Sequence, residues 1–482
     1  MDKQNKTISG FFWSFVDSFS TIIIQFVIGI ILARLLSVKE FGLIGILTLF
    51  INISTVIIDS GFKIGLLRRV NCTNKEYSTI FYFNISVSFL LYLVLFFSAG
   101  YVSAFFKEPI LKLPMRVISL GLLFNSFGLI QSVILLKNID FKKQASISVT
   151  AITVSGLVAV GMAYSGFGIW SLVALNVIRT AINTILLWLK STWVPALVFC
   201  KKSFNEIYSF SKNLLFSGLI STIYENAYYF VIGKFFSTTE LGYYTRAEQF
   251  KYIPSQGMTE IINRVSFPVL SSIQDNPVAL KEGYKKLIKI TMFISFVFMI
   301  GMASISESLI IFLIGEKWIV AAEYLRLLSF VGMVYPFQAL NLSMLQLKGR
   351  SDLFLRLDII KKSLAIPAII MGIIFGIKIM LYMMIFNAFI SFFLDSFYSG
   401  KMINYPVTEQ IKDIYLSFVV AIIMGISIYL IKLIFNQSNT IILLAQLVGG
   451  VIVIIVLGEL IKKYEYIEIK SIIKGYILKI KN

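Results

Sequence analysis

Apolar residues recur along this chain in long blocks separated by brief polar intervals, not in the two-residue alternation of a half-buried sheet. Fourteen blocks approach the roughly 20 residues that carry an α-helix across a hydrocarbon layer of about 30 Å. They begin near Phe12, Phe41, Ile80, Leu113, Ile147, Ile169, Ile207, Tyr243, Leu287, Ala321, Leu357, Ile379, Ile411 and Thr440. The pattern predicts an all-α polytopic membrane protein with about 14 transmembrane helices. Composition agrees: 57% of the 482 residues are hydrophobic and 14% charged, more apolar surface than a soluble core can hide. The eighth block, "YYTRAEQFKYIPSQGMTEIINRVSFPVLSSI" from Tyr243, is long enough to cross but is polar and holds Pro254 and Pro268, which either kink the helix or are ordinary irregularities.

The basic residues decide whether that block crosses. With a cytoplasmic N-terminus and fourteen crossings, thirty of the 44 Lys and Arg fall in inner loops and the tail and eleven in outer loops, leaving Arg179, Lys251 and Arg264 inside spans. Dropping the eighth crossing would move the later basic loops outward, so the block crosses and both termini are expected in the cytoplasm. The formal charge of +19 then reflects inner loops beside anionic lipid and calls for no nucleic acid.

Several chemistries are disfavoured. The chain has no His, the usual proton shuttle and commonest metal ligand, so no metal site and no cofactor are expected. Cys72 and Cys200 lie in predicted cytoplasmic loops, where they stay reduced. The first apolar block is too long for a signal-peptide core and lacks a small-residue cleavage site, which predicts a retained helix. No loop is long enough to form a catalytic domain, so an enzyme is not expected.

An internal repeat organises the blocks. "ARLLSVKEFGLIG" from Ala33 and "GKFFSTTELGYYT" from Gly233 align without a gap at a shift of 200 residues, pairing Arg34 with Lys234, Ser37 with Ser237, Glu40 with Glu240 and Gly42 with Gly242. A looser echo joins "LLKNIDF" at Leu135 to "LQLKGRSDLF" at Leu345. Six crossings separate the copies, which predicts parallel lobes: residues 1–200 and 201–405 as six-helix lobes, with 406–482 adding two helices and a basic tail. Such a bundle suits alternating access; an ancient duplication in a channel or scaffold is the alternative.

Polar residues inside spans are the candidate site. Glu248, Lys251, Tyr252, Ser255, Gln256, Thr259 and Asn263 recur at spacings of three and four along the eighth block, and Glu260 and Arg264 are four apart. Ionised side chains at a helix centre cost about 2.5–3.5 kcal/mol each, so the stripe is expected to face water or partners. Arg179, Lys251 and Arg264 could bind an anionic group; Glu225, Tyr228, Glu248, Tyr252, Gln256 and Glu260 would line the same cavity; and Asp17, Glu225 or Glu307 could carry a coupling proton or cation. Asn52 and Asp59 belong to the same intramembrane polar set. Each has a plainer reading as a structural pair or a snorkelling side chain. "YENAYYF" at Tyr224 is either a sugar-stacking surface or a packing cluster.

Four stretches, "LARLLSVKEFGLIGIL", "LLKNIDFKKQASISV", "FPVLSSIQDNPVALKEGYKK" and "GEKWIVAAEYLRLLSF", resemble Wzx-type polysaccharide flippases of the MATE-like (MOP) superfamily, in the branch associated with colanic and teichuronic acid export. The resemblance implies a MATE-like fold of two six-helix lobes plus two C-terminal helices, sited in a bacterial inner membrane. It further implies translocation of undecaprenyl-pyrophosphate-linked oligosaccharide repeat units for lipopolysaccharide or exopolysaccharide biosynthesis. H+ or Na+, a polysaccharide polymerase and a chain-length regulator are its candidate partners beside membrane lipids. A cationic lumen is the expected device, and Arg179, Lys251 and Arg264 are the positions that could supply it. The alternatives are a cation-coupled drug or metabolite exporter of the same superfamily, which an acidic compact cavity would favour, and a membrane-embedded polymerase, which would need a catalytic loop that is not visible.

Overall fold

The structure is a computed structural model that describes residues 3–69, 71–434, 437–461, 465–468 and 470–471; the side chains of residues 3–12, 15, 264, 265 and 351 lie outside the description. Among the described residues every regular element is helical. Each of the fourteen predicted blocks begins in or beside a helix, and among the described residues eleven helical segments are long and apolar enough to cross a membrane. The chain is a multi-pass membrane protein.

Two compact units divide it, Met1–Gly242 and Tyr243–Asn482. The first holds α1 (Lys3–Leu35), α2 (Val38–Asp59), α3 (Phe62–Arg68), α4 (Asn74–Phe105), α5 (Lys112–Ile118), α6 (Leu120–Lys137), α7 (Phe141–Tyr164), α8 (Ile169–Lys190) and α9 (Lys201–Phe235). Here α7 packs between α1 and α8, α8 continues onto α6, and α6 onto α4, while α9 lies along α2, α3 and α4. Helix α10 (Thr238–Ser271) starts in the first unit and continues into the second. The second unit adds α11 (Pro277–Ile314), α12 (Ile319–Gly332), α13 (Tyr335–Leu347), α14 (Ser351–Ser363), α15 (Ala365–Phe375), α16 (Ile377–Met402), α17 (Val407–Ile434) and α18 (Asn439–Ile461). The last two helices lean on α11, and at the start of α17 Glu409 and Asp413 receive Lys281, Lys285 and Lys289 from one face of α11.

Three predicted spans stand outside the eleven apolar segments: α9, α10 and the α14–α15 pair. Charge interrupts each of them, for instance Glu206, Lys212 and Glu225 in α9, Glu248, Lys251 and Glu260 in α10, and Asp358, Lys361 and Lys362 in α14. Length is not their limit. The 35 residues of α9 and 34 of α10 extend about 50 Å at 1.5 Å per residue. Pro254 and Pro268 both lie inside a continuous α10.

The internal repeat has a physical basis. Ser37 accepts from the Glu40 amide while the Glu40 carboxylate accepts from the Ser37 amide at 2.7 Å, a capping box that starts α2. Ser237 accepts from the Glu240 amide at 3.0 Å in the second copy. Where α2 and α10 begin, the two copies touch: a Cβ on Gly42 would overlap the Thr238 carbonyl oxygen, and one on Gly242 would overlap the Val38 carbonyl oxygen. The contact is reciprocal, with residues 38 and 42 against 238 and 242, and only glycine allows backbones so close. The second echo also marks a turn, through left-handed Ile139 (φ +57°) before α7 and Gly349 (φ +67°) before α14.

Candidate substrate-binding site

Helix α8 presents Arg179, Thr180, Asn183 and Thr184 at spacings of one, four and five residues, which places them on one face. Asn125 from α6 and Ser148 and Ala151 from α7 complete a cavity of about 210 Å³ within the first unit. Neutral amides and hydroxyls make up most of the wall, and among the described residues Arg179 is its one charged group. Among the described residues Arg179 makes no hydrogen bond or ion pair with the protein; its electrostatic neighbour is Asp17 of α1. A guanidinium offers five N–H donors in a planar fork and stays charged, so an unmatched one facing a polar cavity is built to take an anion in two-point contact.

Asp17, expected as a coupling residue, lies beside Ser148, Thr21 and Arg179. The structure therefore brings together two residues that sequence spacing could not connect, from the first and sixth predicted spans.

In the second unit Lys251 is 1% exposed. Its ammonium donates to Glu248 Oε1 at 2.5 Å and to the Tyr335 hydroxyl at 3.4 Å, and sits 4.9 Å from the centre of the Tyr335 ring. Gly332 packs against its methylene stem. Glu248 is half-buried, and its second oxygen has no hydrogen-bond partner. The stripe along α10 splits accordingly. Ser255 turns inward with Lys251, whereas Tyr252, Glu260 and Asn263 are exposed and Gln256 and Thr259 intermediate. The side chain of Arg264 lies outside the described residues.

On α9, Glu225 is exposed while its neighbours Asn226 and Tyr228 are buried. Asn226 accepts from Asn52 of α2 at 3.3 Å and donates to the Thr222 carbonyl, which ties α9 to α2. Asp59 closes the end of α2 by accepting from the Lys63 amide. Glu307 is held by Lys432 and, at 3.9 Å, by Arg326. At the loop end of the first unit Arg69 donates to Glu76 and, at 2.9 Å, to Glu206; the hydrogen bond to Glu206 holds its guanidinium above its ordinary value.

Comparison with known proteins places this geometry in a family. Residues 31–323, more than half of the chain, match the family described as "Polysaccharide biosynthesis protein". The chain belongs to that family. It is 27% identical over 349 residues to the teichuronic acid biosynthesis protein TuaB of Bacillus subtilis (strain 168), covering 72% of each chain. It is 24% identical over 378 residues to the lipopolysaccharide biosynthesis protein WzxC of Escherichia coli (strain K12), covering 77% of this chain and 76% of that one. Among solved structures the lipid II flippase MurJ, in an inward closed conformation, superposes with a TM-score of 0.76 at 15% identity, over 97% of this chain and 100% of that one. An inward-facing MATE-family multidrug transporter of the MOP superfamily follows at 0.61 and 14%, over 81% and 94%. These structural likenesses show the fold: a MATE-like all-helical architecture.

Some members of the polar set were not anticipated. Asn125, Ser148, Thr180, Asn183 and Thr184 surround Arg179; the i, i+4 repetition of polar residues in α8 was the available signal. In the second unit buried Asp395 of α16 accepts from Lys361 of α14 at 3.0 and 3.1 Å. The basic-residue pattern places Lys361 in an inner loop, and nothing in "SFFLDSF" marks its partner.

Proposed function

We propose that this family member is a flippase, moving undecaprenyl-pyrophosphate-linked oligosaccharide repeat units across the cytoplasmic membrane by alternating access. The observation that carries the reading is Arg179: a permanent cation in a polar cavity, with no anion at hydrogen-bonding distance among the described residues. In an apolar bundle a lone guanidinium is costly, and it is retained where an anionic ligand offsets that cost. The amides and hydroxyls beside it suit a hydroxyl-rich sugar phosphate. The names of TuaB and WzxC, both polysaccharide biosynthesis proteins, and the flippase fold of MurJ support the same substrate class.

In this reading residues 1–200 and 201–405 are the two lobes, residues 406–482 add the last two helices, and both termini are cytoplasmic in a bacterial inner membrane. Arg179 serves the anionic headgroup, whereas Lys251, already matched by Glu248 and Tyr335, serves structure within its own unit. Asp17, within electrostatic reach of Arg179, is the best placed coupling group. Glu307 already has two basic partners and serves structure. A polymerase and a chain-length regulator would act on the translocated unit. The protein itself would make and break no bonds.

Depleting the protein in its host tests the reading. Lipid-linked repeat units should accumulate on the cytoplasmic leaflet while surface polymer falls; unchanged surface polymer after complete depletion would contradict it.

A further inference from the structure

The ten residues between α8 and α9, "STWVPALVFC" from Ser191, form no helix and carry an apolar tip. Leu197 is 93% exposed, Val194 67% and Phe199 55%. The segment is nevertheless fixed. Trp193 Nε1 donates to Asn74 Oδ1 at 2.6 Å, the Ala196 amide to Ser78 Oγ at 2.9 Å and the Cys200 amide to Thr79 Oγ1 at 3.0 Å, so the first turns of α4 hold it along its length. The Trp193 ring stands edge-on to Tyr77 and Phe81. The apolar tip is thus presented to the outside by a built scaffold.

Two observations identify what covers it. The exposed apolar stripe of α8, Ile185 and Leu189, runs directly into Val194 and Leu197, so the tip continues the surface by which a membrane helix meets lipid. Around the segment Lys75, Lys190, Lys201 and Lys202 are exposed and among the described residues form no ion pair, Lys190 donating to the neutral Ser146 hydroxyl at 2.9 Å, while the nearby acids Glu76 and Glu206 are both taken by Arg69. Exposed apolar side chains ringed by lysines without a counter-ion match the boundary between acyl chains and anionic headgroups, to which basic residues are attracted.

We propose that residues 191–200 are an interfacial anchor: Val194, Leu197 and Phe199 enter the acyl boundary of the cytoplasmic leaflet, and Lys190, Lys201 and Lys202 contact anionic headgroups. The connection between the proposed lobes is thereby fastened to lipid. The inference concerns lipid alone and stands whether or not the cavity carries an oligosaccharide.

The test uses the full chain with Cys72→Ser and Cys200→Ser. Leu197→Cys carries an environment-sensitive nitrobenzoxadiazole label, and Gln274→Cys, in the exposed turn between α10 and α11, serves as the reference. Each is reconstituted in phosphatidylcholine–phosphatidylglycerol vesicles whose lipids are brominated either just below the headgroup or deep in the chain. Position 197 should show blue-shifted emission, quenched more by shallow than by deep bromine, with quenching reduced in Lys201→Gln/Lys202→Gln; position 274 should stay water-like. Water-like, unquenched emission at 197 would overturn the proposal. So would self-quenching that follows protein density instead of bromine, the signature of a second copy covering the tip.

Discussion

Arg179 and Lys251 are both cations inside an apolar bundle, and their surroundings assign them different work. Lys251 has a carboxylate, a phenol and an aromatic face around its ammonium, so its charge is already matched. Among the described residues Arg179 has the field of Asp17 and no hydrogen bond or ion pair. We expect Arg179→Ala to lower translocation about tenfold to a hundredfold, the loss of a charged hydrogen-bonding group of roughly 1.5–3 kcal/mol, with normal yield and thermal stability. Arg179→Lys should restore part of the rate, because charge returns without the planar fork. For Lys251→Met the readout is stability: loss of about 3–5 kcal/mol, because half-buried Glu248 is left without its counter-charge, and clear recovery when Glu248→Gln is added. Thermal unfolding of detergent-purified variants checks both, and equal stability of the single and double variants would refute the pairing.

Helices α2 and α10 show how much a sequence repeat can mean. Ser37, Glu40 and Gly42 match Ser237, Glu240 and Gly242 because each set starts a helix and then lets it pass close to the other. Gly42→Ala should therefore destabilise the protein by about 1–3 kcal/mol, as overpacking does, and Gly242→Ala by a similar amount; wild-type stability of both would show that the helices can part freely. The helical blocks and the repeat were legible because hydrophobic periodicity and cap chemistry are local. The split of the α10 stripe was not. Spacings of three and four put Lys251 and Tyr252 on one broad face, and only packing against α12 and α13 turns the first inward and leaves the second outside. The Lys361–Asp395 pair was hidden for the same reason, since it joins α14 to α16 through tertiary contact. Arg179 was legible as a costly charge; its cavity required three helices to be placed.

At the scale of the whole molecule, eleven segments long and apolar enough to cross a membrane, charge-bearing α9 and α10, and a guanidinium that among the described residues makes no hydrogen bond or ion pair with the protein fit the proposed transporter of a polar anionic cargo. Reconstitution tests that account most directly. Proteoliposomes receive a labelled undecaprenyl-pyrophosphate oligosaccharide, and the fraction accessible on the far leaflet is followed with and without a proton or sodium gradient. The account predicts protein-dependent translocation that Arg179→Ala slows. Absence of lipid-linked oligosaccharide translocation by folded protein, with flux of drugs or ions in its place, would contradict it.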